Sequence, residues 1–152
     1  MTLQQIQKSI PINAPAQKVW QVLLDKTYIE EWYKAFGEGV KADTDWRLGS
    51  KATFADQKGD GMVGRIVTLE PNKKISIEYD GFLSKGQEDL VSEAALSIKG
   101  TQETYILEKN GNVTTLSISL EMDENYFGMM SAMWDNALQK IKELSETGTV
   151  NS

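Results

Sequence analysis

The chain has 152 residues, 40% hydrophobic and 25% charged, which suits one folded domain with a single core. Its net charge of −6, with Arg47 and Arg65 as the only arginines, excludes the clustered basic surface that nucleic acids or anionic membranes require. Cysteine and histidine are absent, which removes disulfides, thiol nucleophiles, Cys/His metal sites and every histidine-based triad.

Residues 3–12 mix Leu3, Ile6, Ile10 and Ile12 with polar residues and read as a first strand of imperfect period two. The following "NAPAQKVWQVLLDK" predicts a helix with Asn13 as its cap and Pro15 in its first turn. Val19, Trp20, Leu23 and Leu24 form its apolar stripe. A second short helix is expected in "TYIEEWYKAF", capped by Thr27, with Ile29, Trp32, Tyr33 and Phe36 turned inward.

From residue 39 the period becomes two. "GSKATFAD" and "GMVGRIVTLE" read as strands joined by a turn at Asp56–Gly61, and "KKISIEYDGF" follows a β-turn preset by Pro71. "QETYILEK" and "VTTLSISLEM" flank Asn110-Gly111-Asn112, a hairpin signal. Between them residues 82–101 are longer than a hairpin needs, and Leu90, Ala94 and Ile98 suggest a helix there, serving as a lid or simply packed on the surface. A long last helix is expected over 124–146, with Asp123 and Glu124 favouring its N-terminus.

Strands clustered in sequence and helices segregated at the ends imply an α+β class with an antiparallel sheet. No repeat or linker interrupts the pattern, so one domain is expected over 1–146, followed by a flexible tail at 147–152. The first residues lack a continuous apolar run, and none elsewhere approaches spanning length, so a cytoplasmic protein with no membrane insertion is expected.

The stretches "IPINAPAQKVWQVLLD", "WRLGSKATF", "GRIVTLEPNKKISIEY" and "MWDNALQKIKEL" resemble the START-like, or SRPBCC, superfamily in order and spacing. The branch they resemble is that of the activators of a heat-shock chaperone ATPase, beside the polyketide-cyclase-like proteins. The resemblance implies a helix-grip fold: a seven-stranded curved antiparallel sheet around the C-terminal helix, with two short helices after the first strand. It also implies a hydrophobic cavity between sheet and helix, open near those short helices. Eukaryotic chaperone activators carry an additional N-terminal domain for which this chain is too short, so a chaperone contact ranks as the alternative.

Within that fold, Phe127, Met130 and Trp134 are expected to line the cavity, while Ala137, Leu138, Ile141 and Leu144 continue the same face as plain core. Trp32, Tyr33 and Phe36 belong near the mouth, and Trp46 and Phe54 contribute from the next strands. Tyr79 and Tyr105 share the inward parity of Ile75, Ile77 and Leu107, so their hydroxyls need a partner inside, either another protein group or a ligand headgroup. Glu78 and Glu103 are expected on the opposite face in water, and Arg65 on the surface.

These ten residues, with no catalytic, cofactor or metal set among them, point to binding of a small hydrophobic ligand, lipid-like or aromatic. The alternatives are a chaperone-regulating interaction module and, third, a polyketide-cyclase-like enzyme. The enzyme would need a buried carboxylate or tyrosine pair with shifted pKa values.

Overall fold

The computed structural model describes residues 2–147. Ten alternating residues form the edge strand β1 (Leu3–Ile12), whose even positions carry Ile6 and Ile12 into the core. Pro11 is tolerated there because an edge strand leaves one side of its ladder unpaired. Helix α1 (Ala16–Leu24) buries Val19, Val22 and Leu23. Its N-cap is Pro15, not Asn13, whose backbone N–H instead donates to Glu146.

Helix α2 (Lys26–Trp32) is capped by Asp25, whose carboxylate accepts from the Thr27 N–H; Thr27 is therefore inside the helix rather than its cap. The chain tightens into a 3₁₀ turn over Tyr33–Phe36. This keeps Ile29, Trp32 and Tyr33 buried on one face.

Six further strands and a helix follow: β2 (Lys41–Asp43), β3 (Lys51–Ala55), β4 (Gly61–Glu70), β5 (Lys74–Ser84), β6 (Gln87–Asp89), α3 (Glu93–Ile98) and β7 (Gln102–Asn110). Strand β8 (Val113–Asp123) then leads to α4 (Phe127–Thr147). All pairings are antiparallel, in the order β1-β8-β7-β5-β4-β3-β2, with β6 added on β5. The seven-stranded path is the expected one, and β6 is extra. The predicted turns are present: Lys73 N–H donates to Glu70 C=O around Pro71, with Asn72 at φ +65°, and Asn110 pairs with Val113 across a two-residue loop.

Bulges between Val63 and Gly64 and between Ile66 and Thr68 bend β4 against β5. The resulting curve wraps α4, which buries Trp134, Ala137, Leu138, Ile141 and Leu144 against sheet, α1 and α2. Helix α4 begins at Phe127 rather than at residue 124. Asp123 accepts the Asn125 N–H in a tight turn, and that turn delays the helix.

The insert between β5 and β7 splits into β6 and α3. Ala95 and Ile98 are its buried residues; Ala94 is exposed, so the apolar face is rotated from the expected one. Of the expected tail, residues 148–152 lie outside the described residues, and Thr147 still belongs to α4.

Candidate ligand cavity

Three parts of the fold converge between the sheet and α4. The end of α2 and the 3₁₀ turn after it bring Trp32, Tyr33 and Phe36; the strands bring Phe54, Met62, Tyr79, Tyr105, Leu120 and Met122; and α4 brings Met130 and Trp134. Between them lies a cavity of about 160 Å³, also bordered by Val40 and Glu103. Larger hollows of 300 to 490 Å³ lie elsewhere, lined mostly by charged and small residues and without an aromatic ring, one of them beside Lys51, Arg65 and Asp80.

Aromatic rings define the walls. Tyr33 meets Trp32 edge-on at 4.5 Å between centroids, Phe36 meets Trp134 at 5.0 Å, and Tyr105 lies 5.9 Å from Trp134. On the far side Phe54 meets Tyr79 edge-on at 6.4 Å. Such edge-to-face pairs add to area burial and fix ring orientation. Trp32 is anchored further by its indole N–H, which donates to the Val22 carbonyl at 3.0 Å.

Glu103 is the one charged residue on this lining. It was expected in water, and the structure corrects this: Glu103 precedes Tyr105 by two residues on β7, so the two share a face of the sheet. Its side chain is half-buried and borders the cavity. Tyr79 Oη donates to Glu103 Oε1 at 2.8 Å, and Tyr105 Oη donates to Oε2 at 2.5 Å. Both tyrosine hydroxyls thus find a protein partner inside, and that partner is Glu103.

The electrostatics follow from burial. Desolvation raises the Glu103 pKa above the ordinary carboxylate range, although the hydrogen bonds from Tyr105 and Tyr79 pull it back in part. Burial, reinforced by the carboxylate charge of Glu103, pushes the Tyr33, Tyr79 and Tyr105 phenols well up as well. A carboxylate with a raised pKa, ringed by phenols and without a cation, is the one chemically distinctive feature of the lining.

All the expected lining residues border the cavity except Trp46 and Phe127. Trp46 sits in the loop before β3 at φ +57°, where it faces Phe54 at 6.3 Å and borders a separate void of about 10 Å³. Phe127 is the first residue of α4 and packs against the core beside the cavity without reaching it. Leu120 and Met122 were legible as the continuation of Leu116 and Ile118 at period two, and Met62 as the cross-strand partner of Phe54. No residue of 82–101 borders the cavity. Leu90 and Lys99 instead lie beside Val63 and Arg65 on the other face, which corrects the lid reading in favour of surface packing.

Arg65 lies at the surface as expected, where its guanidinium donates to Asp80 and Glu78. Among the described residues no group of acidic side chains could hold a metal ion, and no helix is long and apolar enough to cross a membrane.

The family model described as Activator of Hsp90 ATPase homolog 1-like protein matches residues 13–146. The fold is similar to that of the Aha1 dimer from Colwellia psychrerythraea (TM-score 0.73, 19% identity, 97% of this chain and 99% of that one). It is also similar to protein MLL2253 from Mesorhizobium loti (0.74, 18%, 97% and 100%). A third similar structure is CalU16 from Micromonospora echinospora (0.64, 20%, 93% and 74%). Among curated proteins no sequence matches this chain. At these identities the structural likeness establishes the fold alone.

Proposed function

The chain belongs to the Activator of Hsp90 ATPase homolog 1-like family, and on that premise we propose that its cavity binds a small hydrophobic ligand. The observation that carries this reading is the aromatic cavity of about 160 Å³ between the sheet and α4. Its size favours a ligand of about one ring, because a dry apolar cavity of about 150 Å³ holds benzene. A lipid-length chain exceeds this volume and would extend beyond the cavity. A fatty-acid carboxylate would in addition meet the like charge of Glu103.

Titration calorimetry with toluene tests the reading. Saturable binding with a negative heat-capacity change, lost on unfolding, supports it. Absence of binding by toluene and by a panel of other one-ring compounds overturns it.

Proton transfer is a second reading that one observation favours. Glu103 has the raised pKa and apolar setting of a general acid or base, with Tyr79 and Tyr105 within hydrogen-bond reach. Incubation with aromatic ketones in deuterated water tests it: exchange of the acidic C–H that Glu103→Gln abolishes would support catalysis, and exchange no faster than in buffer counts against it. Chaperone regulation rests on the family name alone.

A further inference from the structure

We propose that the cavity selects small aromatic amines, with Glu103 pairing the ligand's ammonium and the surrounding rings enclosing it. This rests on the ligand-binding reading above and names its chemical class.

A carboxylate taken out of water needs a cation or a full set of hydrogen bonds to offset its desolvation. Neither lysine nor arginine borders the cavity. The donors that reach Glu103 are two phenols, one on each oxygen. A carboxylate accepts about four hydrogen bonds, so acceptor positions remain on a half-buried side chain that borders the cavity. The titratable groups facing Glu103 are Tyr33 from the 3₁₀ turn, Tyr79 from β5 and Tyr105 from β7. The lining supplied by β3, β4, β8 and α4 is Phe54, Met62, Leu120, Met122, Met130 and Trp134, none of which ionises.

A ligand cation completes this site in two ways. Its N–H groups fill the open acceptor positions of Glu103, a charge-assisted bond stronger than a neutral one. Its charge also comes to lie among the aromatic rings of the wall, and a cation set over the face of such a ring is attracted to it. Trp32, Tyr33, Phe36, Tyr105 and Trp134 are held by their mutual ring contacts, so the rings are already in place. An anionic ligand gains neither interaction and is repelled. The volume admits one ring and a short arm, which is the size of benzylamine.

Calorimetric titration of the full chain with benzylamine, benzyl alcohol, toluene and benzoate tests the inference at neutral pH. The expected order is benzylamine first, by about tenfold or more over toluene given the strength of hydrogen bonds to charged groups, with benzoate weakest. In Glu103→Gln the ratio of benzylamine to toluene affinity is expected to fall close to one. The comparison among ligands in the unaltered protein stands even if that variant folds poorly. If toluene binds and benzylamine binds no tighter, or if the preference persists in a folded Glu103→Gln, the inference is overturned while the cavity reading survives. If no probe binds, toluene included, both fall.

Discussion

Tyr105 Oη lies 2.5 Å from Glu103 Oε2, two residues back on the same strand, while Tyr79 holds the other oxygen from the neighbouring strand. The carboxylate is therefore clamped by phenols from two strands inside an aromatic cavity, and its proton affinity couples to folding. The Glu103 pKa is raised in the fold, so the folded state retains a proton that the unfolded chain loses near pH 4.3. Stability from this group is fully present below that pH and is lost as pH rises through the raised folded value.

Glu103→Gln removes this titration. Urea unfolding of both proteins from pH 4 to pH 8 is expected to show the difference in stability moving in favour of the variant as pH rises, then levelling. A pH-independent difference would place Glu103 in water.

The phenols give a second, separate readout. Tyr33, Tyr79 and Tyr105 all have raised pKa values from burial and from the Glu103 charge. Unfolded tyrosine loses its proton near pH 10, so below that pH the folded protein incurs no loss from these groups, and above it their contribution to stability declines. Alkaline titration followed by tyrosinate absorbance is expected to show Tyr33, Tyr79 and Tyr105 ionising only as the protein unfolds. Their ionisation in the folded state near pH 10 would contradict the buried cluster.

Much of this site was readable as pattern. Period two placed Tyr79 with Ile75 and Ile77, and Tyr105 with Leu107, because alternation on a half-buried strand is dictated by the core. The three-and-four spacing on α4 placed Met130 and Trp134 beside Leu138 and Ile141. Glu103 was assigned to the opposite face and so to water, although it stands two residues before Tyr105 on the same strand and therefore shares its face. What overrode the usual preference is a tertiary contact, the two phenols that make burial tolerable. Trp46 could not be placed by alternation at all, since a residue at φ +57° in a loop follows no strand period. Similarly, β6 forms because β5 continues past the end of β7 pairing and leaves an edge to cover, a circumstance invisible in "GQED" itself.

The curve that shapes the cavity depends on a close backbone approach at Gly64. A Cβ there would stand 2.3 Å from the Glu78 carbonyl oxygen and 3.1 Å from the Tyr79 Cα, both backbone atoms that cannot swing aside. Gly64→Ala must therefore separate β4 from β5 or flatten the bulge, at a cost of about 1–3 kcal/mol or more. Because Tyr79 moves with β5, weakened toluene binding is expected beside a lower denaturation midpoint. A Gly64→Ala protein with unchanged stability and binding would show that the bulge does not set the cavity wall.

The last expectation compares two positions on α4. Leu138 is 4% exposed and continues the solid core with Ile141 and Leu144, whereas Met130 is half-buried and borders the cavity. Truncation in solid core loses transfer energy and leaves a void, which costs about 2–5 kcal/mol for Leu→Ala or Met→Ala. A cavity wall already lacks packing partners on one side, so fewer contacts vanish when it is cut back. Leu138→Ala is expected to fall within that range, and Met130→Ala below about 2 kcal/mol, under the core range. Only Met130→Ala should change toluene affinity, since it alone reshapes the space the ligand occupies. The comparison is internal to one helix, so propensity and solvent conditions largely cancel. Equal destabilisation by the two variants, with toluene binding untouched in Met130→Ala, would make Met130 ordinary core and remove α4 from the cavity wall at that position.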